Sequence, residues 1–137
     1  GLACMPLLTT PMCVALPRRD PLARRKTLRL SELRDRRIIL APAGQRHRDV
    51  VGRGLALSQH ALDDVLEADG WPLMLRFVQL GLGLAVVNGT CTLPEGTVAH
   101  PIREMGTITY RSVRRHGARL SANGERLAAL LSELGAR

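Results

Sequence analysis

The chain has 137 residues, enough for one domain of ordinary size or for two small lobes that share strands. Its hydrophobic content of 45% comes without an apolar run of membrane-spanning length, so the sequence favours a soluble globular protein and predicts no membrane partner. The formal charge of +8 is typical of nucleic-acid binding, but three aromatic residues are too few to stack single strands, and no convincing helix-turn-helix is visible. We therefore interpret most of this charge as solvated surface.

Neither the cysteines nor the histidines show a metal-binding pattern. The three cysteines lack C-x-x-C spacing, and the four histidines form no i, i+4 pair. We predict no metal and no cofactor, and we expect free thiols in a reducing, cytoplasmic setting. The first residues lack the positive leader of a signal peptide, so no secretion signal is predicted there.

The first predicted elements are two strands separated by a basic connector. A strand is predicted over residues 11–17, bounded by prolines at both ends, and residues 18–30 form the connector. Ser31 is expected to cap a short helical turn that ends at Arg34. The run "RRIILAP", residues 36–42, predicts a strand covered on both faces.

Two helices and a short strand are predicted next. Residues 44–62 have helical apolar spacing despite two glycines, each of which costs ~1 kcal/mol in a helix interior, and residues 63–69 predict a strand. Residues 70–81 predict a second helix, with Asp69 as its N-cap and Pro72 in its first turn. Its Met74 and Phe77 are expected in the core, and Leu73, Phe77 and Leu80 are expected to share one face.

The stretch "VQLGLGLAVVNG", residues 78–89, places two glycines one residue apart between a helix and an apolar run. It does not predict a dinucleotide loop, because Val86 replaces the third glycine and because such a loop leaves a strand and opens a helix. Instead, Gly81 is expected to end the helix in a left-handed conformation. Gly83 is expected to allow close packing of a strand over residues 84–88.

The order from residue 37 to residue 88 is therefore β-α-β-α-β, which predicts a small parallel sheet with crossover helices. Residues 96–102 and 107–115 predict two further strands. A closing amphipathic helix is predicted over residues 121–135, starting at Ser121 and stopping at Gly135. Its apolar stripe is expected to comprise Leu127, Leu130, Leu131 and Leu134.

Ligands of an open parallel sheet bind beyond the carboxyl ends of its strands, and three such ends are readable here. The turn at 42–45 offers backbone N–H groups and the polar Gln45 to an anion at a helix start. The turn at 69–71 is the second, although Asp69 alone is explained by a capping role. The third, at 87–89, is a candidate hinge.

The residues do not indicate catalysis. No serine lies in a G-x-S-x-G elbow, and the adjacent Asp63 and Asp64 would point to opposite faces of a strand. We therefore predict that the protein is not an enzyme.

Three blocks of sequence resemble the effector-binding region of LysR-type transcriptional regulators. They are "CVALPRRDPLARRKTLRLSELRDRRIILAPAG" at 13–44, "VLEADGWPLMLRFVQLGLGLAVV" at 65–87 and "LPEGTVAHPI" at 93–102. The resemblance covers almost the whole chain. It implies an α/β, two-lobed fold like type II periplasmic binding proteins, with the first lobe incomplete here. Residues 1–30 are then a first-lobe segment and connector, 31–92 the second lobe, and 93–137 the return to the first lobe.

The resemblance also implies a function. A small metabolite, expected to be anionic, binds in the cleft of a homodimer or homotetramer and modulates how a winged helix-turn-helix, absent from this chain, sits on promoter DNA. The implied ligand-binding positions are Ala41, Pro42, Ala43, Gly44, Gln45, Asp69, Gly70, Trp71, Val87 and Asn88.

Two alternatives to this function rest on fold analogy alone. One is a freestanding solute-binding module, which an upstream secretory leader would favour. The other is an enzyme on the same scaffold, for which no residue pattern gives local support.

Overall fold

A computed structural model describes residues 1–55 and 65–135 as a mixed α/β structure with an open sheet. The chain divides into two compact units. The terminal unit comprises Gly1–Thr10 and Thr107–Arg137, and the central unit comprises Pro11–Gly106. The lobe boundaries expected near residues 31 and 92 stay a prediction.

The central unit contains the predicted β-α-β-α-β order. Its elements are β2 (Ile38–Leu40), α1 (Arg46–Gly54), β3 (Leu66–Glu67), α2 (Trp71–Gln79) and β4 (Leu84–Asn88). β2 lies between β3 and β4 and is parallel to both. The prediction of a parallel sheet with crossover helices is thus confirmed for these strands. The predicted continuation of α1 to residue 62 and the start of β3 at residue 63 lie outside the described residues.

β1 (Leu2–Pro17) is antiparallel to two neighbours, β4 on one side and β5 (Thr97–Pro101) on the other. The predicted start at residue 11 was wrong, because Pro11 does not end the strand. Proline lacks only the N–H donor, and the Pro11 carbonyl accepts a hydrogen bond from the Gly89 N–H at 2.9 Å. β1 therefore runs through Pro11 and reaches back to Leu2.

One core cluster of the central unit lies between the sheet and α2. All five residues of β4 are buried, as expected for a strand covered on both faces. The buried residues of α2 are Met74, Leu75 and Val78. The core position predicted for Met74 is confirmed, and Phe77 packs half-buried against the core, but the predicted face was wrong for Leu73 and Leu80, which are 44% and 56% exposed. Side chains three and four positions apart share a face, and this face is rotated by one residue from the predicted one.

Two glycines connect α2 to β4 in the expected way. Gly81 has φ +76° and ends the helix, with its N–H donating to the Val78 carbonyl at 2.9 Å. At Gly83 a Cβ atom would lie 2.8 Å from the Arg37 carbonyl oxygen and 3.2 Å from Ile39 Cγ1. Both predictions for this pair are confirmed: Gly81 supplies the left-handed turn, and Gly83 permits close packing on β2.

The basic connector contains a short 3-10 helix, Pro21–Arg24, and a second one, Leu30–Leu33, follows where the helical turn was predicted. Asp20 caps the first, accepting a hydrogen bond from the Leu22 N–H at 3.0 Å. The prediction that Ser31 caps the second was wrong, because Ser31 lies inside that helix. The start of this helix is instead stabilised by the Glu32 side chain, whose Oε2 accepts a hydrogen bond from the Arg29 N–H at 2.9 Å.

The terminal unit contains β6 (Thr107–Arg115), which pairs with β1, and α3 (Ala122–Gly135). Both elements match their predicted ranges closely. Ser121 Oγ accepts a hydrogen bond from the Gly124 N–H at 3.2 Å, so the predicted helix start is confirmed. Leu127 and Leu130 of the predicted stripe are 57% and 50% exposed. Among the described residues, no helix is long and apolar enough to cross a membrane.

Candidate functional site

The carboxyl ends of β2, β3 and β4 lie at one edge of the parallel sheet. Their last residues are Leu40, Glu67 and Asn88. Each strand is therefore followed by its turn at this edge, where an α/β sheet binds ligands. We call these positions the strand-end site, which comprises Ala41, Pro42, Ala43, Gly44, Gln45, Asp69, Gly70, Trp71, Val87 and Asn88.

The first turn of the strand-end site leads from β2 into α1. Gly44 has φ +85°, a left-handed conformation that only glycine adopts freely. The Ala41 carbonyl accepts a hydrogen bond from Arg48 Nη1 at 3.1 Å, and Arg48 also pairs with Glu67 of β3. The turn is thus held to the neighbouring strand by one largely buried guanidinium.

Gln45 occupies the N-cap position of α1, but its side chain does not cap the helix. Its amide Nε2 instead donates a hydrogen bond to Asp69 Oδ1 at 3.0 Å. Two turns separated by 24 residues in sequence are therefore joined by their side chains.

The predicted N-cap role of Asp69 was wrong, because Gly70 holds that position with φ +81° and ψ 147°. This backbone conformation is outside the range that aspartate adopts readily. The glycine turns the chain, and the Asp69 carboxylate is left to meet Gln45. Pro72 lies in the first turn of α2, as predicted.

His47 is a residue of this edge that the sequence interpretation did not single out. Its ring meets the Trp71 indole edge to face, with centroids 4.7 Å apart. Its Nε2 lies 2.9 Å from the Val86 carbonyl oxygen, which can only accept, so Nε2 carries the proton. Nδ1 is buried and has no hydrogen-bond partner within the described residues. Burial lowers the pKa of His47, although the contact with Val86 acts in the opposite direction, and the imidazole is neutral near pH 7.

One feature of the sequence would have identified His47, namely its place just after the first predicted ligand-binding turn. It is the second residue of α1 and follows the turn that had already been selected. Its contact with Trp71 depends on the parallel arrangement of β2 and β3, which brings the starts of the helices that follow them to one edge.

The third turn follows β4 and is organised by Asn88. Its Oδ1 accepts hydrogen bonds from Thr90 Oγ1 at 2.7 Å and from Cys91 Sγ at 3.2 Å. Burial raises the pKa of the Cys91 thiol, and the Asn88 contact opposes this increase. The Val87 side chain is fully buried in the core, so it is the backbone of Val87 that reaches the edge. The hinge role expected for residues 87–89 stays a prediction.

An open cavity of about 510 Å³ adjoins the strand-end site on the α2 side. Its lining is mainly apolar and comprises Trp71, Pro72, Leu75, Cys91, Thr92, Leu93 and Pro94. Trp71 is shared by the cavity and the site. In the described ranges, 1–55 and 65–135, no cluster of three or more His, Cys, Asp or Glu side chains is arranged to hold a metal ion.

Solved structures of regulatory domains are similar to this chain in fold. The regulatory domain of Synechocystis PCC6803 CcmR in complex with 2-PG is 19% identical, with a TM-score of 0.69 over 98% of this chain and 67% of that one. The C-terminal domain of a probable LysR family transcriptional regulator from Rhodococcus sp. RHA1 is 18% identical, with a TM-score of 0.70 over 96% and 67%. The effector binding domain of BenM with its effector benzoate is 20% identical, with a TM-score of 0.70 over 98% and 64%.

The chain thus spans about two thirds of the length of these domains. No curated protein matches it. The family model of the LysR substrate binding domain matches residues 1–136, nearly the entire chain. This match and the shared α/β fold agree with each other, and the chain belongs to the LysR substrate-binding domain family.

Proposed function

We propose that this chain is the effector-sensing domain of a LysR-type DNA-binding transcriptional regulator, and that a small anionic metabolite binds at its strand-end site. The hydrogen bond between Gln45 and Asp69 is the observation that carries the proposal. It joins two turns that each follow a parallel strand and precede a helix. A ligand that contacts both turns therefore acts on two crossover units at once.

The helix starts support an anionic ligand. α1 begins at Arg46 and α2 at Trp71, and both beginnings lie at the edge where the parallel strands β2 and β3 end. The first N–H groups of a helix lack intrahelical acceptors and carry a partial positive charge, which favours carboxylate or phosphate. His47, whose imidazole is neutral near pH 7, adds no positive charge at this edge, so the helix starts alone favour the anion.

The cavity beside Trp71 supports a ligand with an apolar body. It places an indole, two prolines and two leucines next to the anion-favouring turns. Benzoate, the effector bound by the BenM domain, is an aromatic carboxylate and has both features. For this chain we infer the class of small organic acids rather than one compound.

The remaining parts of the proposal concern the whole regulator. We infer a homodimer or homotetramer that contacts promoter DNA through a winged helix-turn-helix, and a cytoplasmic location. The three cysteines, Cys4, Cys13 and Cys91, all carry free thiols, which supports a reducing compartment.

Thermal unfolding of the complete protein in the presence of small organic acids tests the proposal. An effector is expected to raise the melting temperature, since a ligand that binds only the folded state stabilises it. In Gln45→Ala, we expect the affinity for that acid to fall about tenfold, the equivalent of one hydrogen bond to a charged group.

Gln79→Ala is the matched control. Gln79 also donates one side-chain hydrogen bond, to the Glu95 carbonyl at 2.9 Å, but it is the last residue of α2 and lies away from the strand-end site. The affinity of Gln79→Ala for the acid is expected to match that of the unchanged protein. If no acid of a broad panel changed either the melting temperature or promoter binding, the proposed function would be wrong.

A further inference from the structure

Most of the net positive charge lies in one short segment of the central unit. Residues 18–37 hold nine of the 20 Lys and Arg residues but only three of the 12 Asp and Glu residues. Their net charge is +6, out of +8 for the chain. Two of these nine basic residues, Arg25 and Arg29, line one cavity.

Part of this segment forms a polar cavity of about 400 Å³ that we call the arginine pocket. It is lined by Arg25, Thr27, Arg29, Ser31, Glu32 and Arg103. The backbone explains how distant residues meet there. Leu28 pairs with Ile102 in a parallel bridge, and both side chains are buried. Since side chains alternate along an extended chain, their neighbours Thr27, Arg29 and Arg103 lie on the exposed side.

Hydrogen bonds position three side chains of the arginine pocket, those of Thr27, Glu32 and Arg103. Arg103 Nε donates to Thr27 Oγ1 at 3.2 Å. Glu32 accepts from the Arg29 N–H and lies 3.7 Å from Arg25 Nη2. Three guanidinium groups and one carboxylate thus line the pocket, and the Glu104 carboxylate lies beside it, accepting from the Leu30 N–H at 3.1 Å, which leaves a local excess of one positive charge. Within the part of the chain that the structure describes, neither Arg29 nor Arg103 forms an ion pair.

We propose that the arginine pocket binds a small dianion of the phosphate type, as a second ligand site of this domain. Guanidinium groups match phosphate oxygens with paired hydrogen bonds, and the hydroxyl groups of Thr27 and Ser31 add neutral partners. A concave cavity of this size accepts a phosphoryl group, whereas a nucleic-acid duplex requires an extended surface.

The arginine pocket is separate from the strand-end site. β1 has β4, with Asn88, on one side and β5 on the other, and Leu28 lies beyond β5. Leu28 is therefore three strand positions from Asn88, about 14 Å at the usual strand spacing. The second site can accordingly be tested without reference to the first.

The proposal is tested by isothermal titration calorimetry of the complete protein with inorganic phosphate. The titration is done in chloride buffer at constant ionic strength. We expect saturable binding that weakens about tenfold in Arg29→Gln and in Arg103→Gln, as for the loss of one charge-assisted hydrogen-bonded contact. Arg18→Gln is the matched control. Arg18 belongs to the same basic segment but follows the end of β1, at the edge of the sheet opposite the arginine pocket. The affinity of Arg18→Gln for phosphate is expected to stay within about twofold of that of the unchanged protein.

Phenyl phosphate and a short DNA duplex of unrelated sequence extend the test. Tighter binding of phenyl phosphate than of inorganic phosphate supports a phosphomonoester ligand, and the reverse supports free phosphate. Absence of phosphate binding, or equal weakening in Arg18→Gln, overturns the proposal. Dependence of duplex binding on Arg29 and Arg103 without binding of either small phosphate overturns it in favour of nucleic acid.

Discussion

The His47 imidazole packs edge to face against the Trp71 indole, with ring centroids 4.7 Å apart and an interplanar angle of 88°. This contact connects the first turn of α1 to the first residue of α2. It lies beside the Gln45 to Asp69 hydrogen bond, so the two helix starts are joined by one polar and one aromatic contact. Any ligand that displaces Trp71 must also change the surroundings of His47.

The buried His47 predicts a loss of stability in mild acid. Its folded-state pKa is depressed below 6.5, chiefly by burial, so the unfolded chain binds a proton before the folded chain does. The free energy of unfolding is expected to decrease as the pH falls from about 7 to 5, by about 1.4 kcal/mol for each unit of depression. Urea unfolding at both pH values measures the effect.

His47→Gln is expected to lack this part of the pH dependence. His116→Gln, at an exposed position, is the control for removal of one histidine. An unchanged pH dependence in His47→Gln would contradict the assignment of a buried neutral imidazole.

The tight packing at Gly83 predicts a steric cost for any side chain there. In Gly83→Ala the new Cβ would lie 2.8 Å from the Arg37 carbonyl oxygen, which accepts the Leu84 N–H that starts the pairing of β4 with β2. We expect the free energy of unfolding to fall by about 1 to 3 kcal/mol, as in overpacked cores.

Gly96→Asn is the control, because it also replaces a glycine but does not create a close contact. Gly96 has φ +78° and open space around its Cα, and asparagine tolerates the left-handed conformation. Its cost is expected to be about 1 kcal/mol or less. Equal destabilisation by both variants would show that close packing at Gly83 does not matter.

Features that depend on neighbouring residues in sequence were predictable. The apolar run of β4, the helix stop at Gly81 and the start of α3 at Ser121 each have a local cause, namely burial on both faces, left-handed backbone or capping. The parallel order followed from the alternation of these elements. The location of the strand-end turns then followed from the topology.

Features set by tertiary contacts were not predictable from the sequence. The buried face of α2 depends on how the helix packs on the sheet: Met74 is buried, as predicted, whereas Leu73 and Leu80 of the predicted face are exposed. Asp69 is a good capping residue by type, but Gly70 supplies the required backbone and Gln45 supplies a distant partner. The environment of His47 depends on two strands and two helices, so its type and spacing alone gave no signal.

The charge at Asp69 discriminates between classes of effector. In Asp69→Asn the side-chain oxygen still accepts from Gln45, so the contact between the turns is kept while one negative charge is removed from the site. We expect an anionic effector to bind about fivefold more tightly, corresponding to about 1 kcal/mol of repulsion at an exposed site. The gain should shrink at high ionic strength, because salt screens exposed charges.

Glu95→Gln removes the same charge at an exposed position near the opposite edge of the sheet, and it is expected to leave the affinity within about twofold. Weaker binding of every acid in Asp69→Asn, with Glu95→Gln unchanged, would mean that the effector donates to the Asp69 carboxylate. The helix starts would then position the ligand without determining its charge, and the class of effector would change from a simple acid to one with a hydrogen-bond donor or a cation facing Asp69.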